Sequence, residues 1–383
     1  MKLTINISKL LIPLIILLIV FSNPPWPFFG INIYFVAAIT LVLCFLVAFS
    51  SSSANKGLLY ALPIILISFF YFGVFKALDE FRFSTILFFL VYVSLFFIND
   101  DIKKRSFSIL TKTLGYIVAI SLLSWLVNYF IFELPFGFPL AYSDLLGKGE
   151  GMIFKNYILF IQPDMDYFRF YSVFDEPGVL GTLSAIILLG NKYDFKKKEN
   201  LFLLFGGIFT FSLAFYIVTI LGYLINAVIM RRIKQVVIIS TILLSILPFL
   251  LTLDAFKLSI VYRLSNFNQS VQDRNGVLLD QFYDAFSKTP KLYYGESLTF
   301  FANNPLLHEG SSYKFFIIEY GFIGFLLLLL LYIFLIDFKR INFYIIFCLI
   351  VFLILFIQRP FMYTPWSILL FSLITANSYK AKG

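Results

Sequence analysis

Long apolar runs broken by short polar turns fill most of this chain. A helix rises 1.5 Å per residue and a bilayer's hydrocarbon core is about 30 Å thick, so roughly 20 apolar residues make one crossing. Cut by that rule, the pattern predicts twelve helices, at about 8–22, 31–49, 58–75, 83–98, 109–132, 176–190, 200–212, 214–230, 235–251, 313–336, 341–357 and 363–377. Two polar stretches, 133–175 and 252–312, are too long to be turns. The expected fold is an all-α polytopic membrane protein, a single membrane domain over 1–383 with about 12 transmembrane helices and two long outer loops.

Two places test the pattern. Lys2 and Lys9 precede an apolar run like a signal peptide, but Ser22-Asn23-Pro24-Pro25-Trp26-Pro27 carries no small-x-small cleavage site, so an uncleaved first helix is expected. Asn200–Met230 is long for one crossing and short for two, yet Lys196-Lys197-Lys198 and Arg231-Arg232 bracket it, and both brackets favour the inside. Two short or tilted helices meeting near Thr210-Phe211-Ser212 satisfy that bias. One long tilted helix is the alternative.

Charge sets the orientation. With the N-terminus inside, 18 of the 30 basic residues fall in the inner turns, among them Lys56, Lys103, Lys104, Arg105, Lys339 and Arg340. The bias then agrees at every crossing, so both termini are expected to be cytoplasmic. Composition agrees with the class: 60% hydrophobic, 13% charged, mean hydropathy +0.91. The net charge of +9 comes from these short runs and gives no reason to expect nucleic acid as a partner. Cys44 and Cys348 both lie in apolar runs and read as core fillers.

The outer loops carry the candidate chemistry. The first, rich in Gly, Pro and aromatics, ends in Arg169-Phe170-Tyr171-Ser172-Val173-Phe174-Asp175-Glu176-Pro177-Gly178, where acids and then proline mark a helix start. The second predicts an amphipathic helix over 273–287, on the membrane face or over a cavity, with Val277, Leu278, Gln281, Phe282, Ala285 and Phe286 as its apolar face. It ends at the chain's only histidine, in Leu307-His308-Glu309-Gly310. An imidazole titrates near about 6.5, so His308 suits a general base. Arg169, Arg263 and Arg274 stay charged and bind phosphates bidentately. Taken singly, each arginine also fits an ordinary interface anchor. Glu176, Glu309, Tyr313 and Arg359 are the candidate substrate-binding residues. No Gly-rich phosphate loop, metal-ligand pattern or Gly-x-Ser-x-Gly elbow occurs, so no cofactor or metal is expected.

Three stretches carry a resemblance. Arg169 to Gly178, the turn Thr210-Phe211-Ser212, and His308 followed by Gly321-Phe322-Ile323-Gly324 are similar to elements of the bacterial O-antigen polymerase and O-antigen ligase superfamily. Two positions depart from it: Leu213 stands where an arginine often follows the serine, and Glu309 where asparagine often follows the histidine. The resemblance implies an inverting, metal-independent glycosyltransferase on the outer face of the cytoplasmic membrane. Its donor would be undecaprenyl-pyrophosphate-linked oligosaccharide, with His308 as base and Arg169, Arg263 and Arg274 on the pyrophosphate. It leaves room for a chain-length regulator and a flippase as partners beside the lipid bilayer. Polymerase is the favoured activity; ligase, or a non-enzymatic lipid-linked oligosaccharide flippase or transporter, are the alternatives.

Overall fold

Helices begin and end close to the predicted runs. The structure, a computed structural model, describes residues 7–23, 25, 33–50, 56–76, 82–135, 137, 139–141, 153–164, 168–229, 231, isolated positions between 234 and 248, 251–265, 277–297, 299–307, 312–358 and 361–379. The apolar runs become the helices Ile7–Phe21, Ile33–Ser50, Gly57–Phe69 continuing as a π-helical stretch Phe70–Phe75, Phe83–Ser94, Asp100–Phe130, Pro177–Gly190, Lys198–Phe209, Leu213–Ile229, Tyr313–Phe334, Phe343–Gln358 and Pro365–Ser378. The predicted span at 235–251 lies largely outside the described residues. Helix 100–130 starts well before the predicted 109: Asp100 and Asp101 occupy its first turn, where the positive helix end favours them, so the basic Lys103-Lys104-Arg105 is helical rather than a turn.

Among the described residues, three helices are long and apolar enough to cross a membrane by length and composition: Gly57–Phe75, Asp100–Phe130 and Tyr313–Phe334. The remaining apolar helices are shorter. These are the properties of a helical membrane protein.

The described residues fall into two compact units, one drawn from 1–22, 33–107 and 267–383, the other from 23–32 and 108–266. In the second unit, helix 177–190 is the centre, buried at nearly every position and flanked by helices 198–209 and 213–229. Thus 198–229 is two helices, not one. The break falls at Thr210-Phe211-Ser212, with Phe211 in the left-handed region at φ 48°. Trp125 fills the core beside Phe168, Phe170 and Phe209, at centroid distances of 4.8, 5.6 and 5.6 Å.

The first outer loop is not wholly irregular. Pro139–Ala141, Ile153–Asn156 and Ile161–Pro163 form an antiparallel sheet in that order, pairing Leu140 with Phe154 and Lys155 with Gln162. Phe154 and Asn156 turn inward while Lys155 faces Asp164 at 3.0 Å. Strands of three and four residues are too short for alternation to announce them, so this element departs from the all-α expectation.

In the first unit, helix 313–334 packs on helix 57–69, and helix 365–378 on helices 7–21 and 83–94. Two buried tyrosine hydroxyls are satisfied: Tyr92 Oη donates to the Leu331 carbonyl at 2.8 Å, and Tyr332 Oη to the Met362 carbonyl at 2.9 Å. Cys348 is buried, as a core filler should be; half-buried Cys44 lies 3.1 Å from Ser94 Oγ.

Candidate functional site

Helix 313–334 is interrupted where a glycine and an acid meet in its apolar sequence. Gly321 sits at φ 65°, ψ −178°, a conformation essentially reserved for glycine. A break in an apolar helix frees carbonyls that hydrocarbon cannot satisfy, so other groups must reach them. Tyr71 Oη donates to the Tyr320 carbonyl at 2.6 Å and to the Tyr294 carbonyl at 3.0 Å. The Glu296 amide donates to the Ile318 carbonyl at 2.6 Å. The segment Tyr293-Tyr294-Gly295-Glu296 therefore docks against the break. Gly295, at φ 76°, is required too, because a Cβ there would strike the Glu319 carbonyl.

Five charged side chains gather around this junction. Arg82, just ahead of helix 83–94, donates to both carboxylate oxygens of Glu319, at 3.1 and 3.4 Å. Lys291 Nζ reaches both oxygens of Glu296 at 2.9 Å. Lys76, only 5% exposed, donates to the Glu296 carbonyl. Burial depresses the Lys76 amine to about 8, against the opposing pull of Glu296 and Glu319. Among the described residues, three cations face two carboxylates at this junction. Tyr293 and Tyr294, 62% and 41% exposed, offer aromatic faces beside it.

Four residues after the histidine in sequence, Ser312 caps helix 313–334 by accepting from the Lys314 amide at 3.2 Å. Lys314 pairs with Asp280 at 2.7 Å and lies over the Tyr283 ring at 4.8 Å. These contacts hold the helix Val277–Phe286. Its buried residues are Leu279 and Phe286, with Phe282 and Tyr283 partly covered, whereas Val277, Leu278, Gln281 and Ala285 are exposed. The amphipathic helix exists over Val277–Phe286: Asp280 and Tyr283 bind the neighbouring helix and turn Leu279 inward, while part of the predicted apolar face lies over a cavity, one of the two placements expected for it. Leu278, Gln281 and Phe282 wall that cavity, of about 560 Å³, whose other lining residues are Asn303, Asn304, Pro305, Leu306 and Leu307.

His308, Glu309, Arg274 and Arg359 lie outside the described residues. The backbone of Arg263 is in the short helix Tyr262–Ser265. Tyr313 opens helix 313–334, its ring 6.1 Å from Tyr283. Glu176 is the N-cap residue of helix 177–190 with Pro177 following, as the helix-start pattern anticipates, and its side chain makes no capping bond. Arg169, in the other unit, donates from Nε to the Thr210 carbonyl at 3.1 Å. The same turn is completed by Thr210 Oγ1 donating to the Gly207 carbonyl at 2.6 Å and Tyr216 Oη to the Ile208 carbonyl at 2.7 Å. A Cβ on Gly181 would meet Thr210 and Ser212, so helix 177–190 abuts the turn.

Lys76, Arg82, Lys291, Glu296 and Glu319 were not singled out from sequence. A signal existed: Glu319 is an acid inside an otherwise apolar run, and such a residue marks a partner or a site. Compared with protein-family models, curated proteins and solved structures, the chain matches none.

The buried lysine gives a testable pH dependence. Its amine is depressed below the ordinary value near 10.5, so between about pH 8 and 10.5 the unfolded chain binds the extra proton. Stability is therefore expected to rise with pH across that window, and Lys76→Met to lose the rise. Thermal unfolding of the detergent-purified protein at pH 7.5, 9 and 10 measures it; parallel curves for the two proteins would refute the assignment.

Proposed function

We propose that this protein is a surface-polysaccharide polymerase of the O-antigen type, transferring oligosaccharide from undecaprenyl pyrophosphate to the acceptor repeat unit at the outer face of a bacterial cytoplasmic membrane. The observation that carries this reading is the packing of two stretches that resemble that superfamily: Arg169 to Gly178 and the turn Thr210–Ser212. They meet through a bond spanning 41 residues of sequence. In the reaction, His308 takes the acceptor hydroxyl's proton, and the oxygen forms its bond to the anomeric carbon from the face opposite the leaving group. The bond from that carbon to the pyrophosphate oxygen breaks, and undecaprenyl pyrophosphate departs with its electron pair. Arginines stabilise the charge that develops there. Arg169, Arg263 and Arg274 fill that role, with Lys76, Arg82 and Lys291 as a further outer cluster. The topology that goes with this reading has twelve crossings, both termini inside and the 252–312 loop outside.

The test is the surface glycan of cells lacking the protein. A single repeat unit, restored to a ladder by the wild-type chain, is the expected result. Loss of surface glycan with long lipid-linked chains accumulating would instead establish a ligase, and an unchanged ladder would favour the transporter reading.

A further inference from the structure

A second cavity lies at the lysine-rich side of the first unit. It holds about 540 Å³, within the roughly 300–1,000 Å³ typical of small-ligand sites. Its walls are apolar: Tyr60, Leu95, Phe96, Phe334, Leu335 and Ile336. Three lysines, Lys56, Lys103 and Lys339, share it with a single acid, Asp337.

That acid is already engaged. Arg340 binds Asp337 at 2.6 Å and Asp100 at 2.7 Å, and its guanidinium lies 4.0 Å from the centre of the Tyr379 ring. Asp337 also accepts from the Lys339 amide. Among the described residues, none of the three lysine ammonium groups forms an ion pair. The crevice thus combines uncompensated positive charge with an apolar wall.

We propose that this crevice binds one anionic phospholipid, its phosphate among Lys56, Lys103 and Lys339 and an acyl chain along Tyr60, Phe96 and Phe334. Charge complementarity selects the headgroup, and the apolar wall selects a lipid over a free anion. All three lysines belong to segments that the basic-residue bias assigns to the cytoplasmic side, where anionic lipids attract basic pockets between helices. The site is separate from the glycan chemistry of the outer loops.

Native mass spectrometry of the delipidated full-length protein tests it. With equal phosphatidylglycerol and phosphatidylcholine added, the wild type is expected to retain one phosphatidylglycerol preferentially. Each lysine-to-glutamine change should weaken retention about fivefold, which is ~1 kcal/mol per basic residue near a lipid phosphate. The triple variant K56Q/K103Q/K339Q should lose the preference, while K56R/K103R/K339R, equally altered in shape, should keep it, as should Lys112→Gln, outside the crevice. Equal retention of both lipids by the wild type, or retained preference in the glutamine triple variant, would overturn the site. Displacement of the lipid by millimolar inorganic phosphate would overturn the lipid assignment in favour of a free-anion site.

Discussion

Gly321→Ala is expected to cost about 3 kcal/mol or more, and to lower both the unfolding temperature and the level of membrane-inserted protein. Two independent terms set that magnitude. The backbone at φ 65°, ψ −178° is strained for any residue with a Cβ. The added methyl would also overlap the Tyr293 carbonyl and crowd the Tyr294 amide, which are backbone atoms with no rotamer to yield. Relieving that overlap means lifting the 293–296 segment away from the helix break. Lifting it strands the Ile318 carbonyl, which accepts from the Glu296 amide, and strips the Tyr294 carbonyl from Tyr71. Gly73→Ala is the control: its Cβ would meet only side chains at 3.6 Å or more, so wild-type behaviour is expected. Matching unfolding temperatures for the two variants would mean that helix 313–334 runs unbroken.

How much of this was legible beforehand follows from the range of each signal. Apolar runs report helices directly, because every residue of the run contributes, so Pro177–Gly190 and Tyr313–Phe334 start within a residue of where the pattern predicts. The basic brackets at Lys196–Lys198 and Arg231–Arg232 likewise favoured two helices over one long tilted helix, and the break falls where Phe211 sits at φ 48°. Periodicity picked out the cavity-lining Leu278, Gln281 and Phe282 of helix 277–286 but not the buried Leu279, because it counts apolar residues without knowing their neighbours. Asp280 bound to Lys314, and Tyr283 beneath it, turn Leu279 inward and leave Val277 exposed. Long-range pairing is the least legible of all. Arg82 and Glu319 lie 237 residues apart, and nothing in either local sequence names the other. The charge cluster joins Lys291 and Glu296 of the second polar loop to Glu319 in a helix interior and to Lys76 and Arg82, a grouping that no local pattern announces.

His308→Ala is expected to abolish glycan polymerisation while leaving protein level and membrane insertion at wild-type values. The proposed reaction needs a group that accepts the acceptor hydroxyl's proton near neutral pH, and general-base contributions are typically 10²–10⁴-fold. On a gel of surface polysaccharide, a loss of that size removes the ladder. Arg169→Ala makes the informative contrast. Its Nε holds the Thr210 carbonyl at a helix break, in a chain whose lipid surroundings offer no substitute partner, so this variant should lose protein as well as product. Arg169→Lys retains the charge but loses the planar fork, and should recover insertion more than activity. A histidine variant that keeps the ladder would remove His308 from the chemistry. The base would then be sought at Lys76, whose buried amine is depressed to about 8.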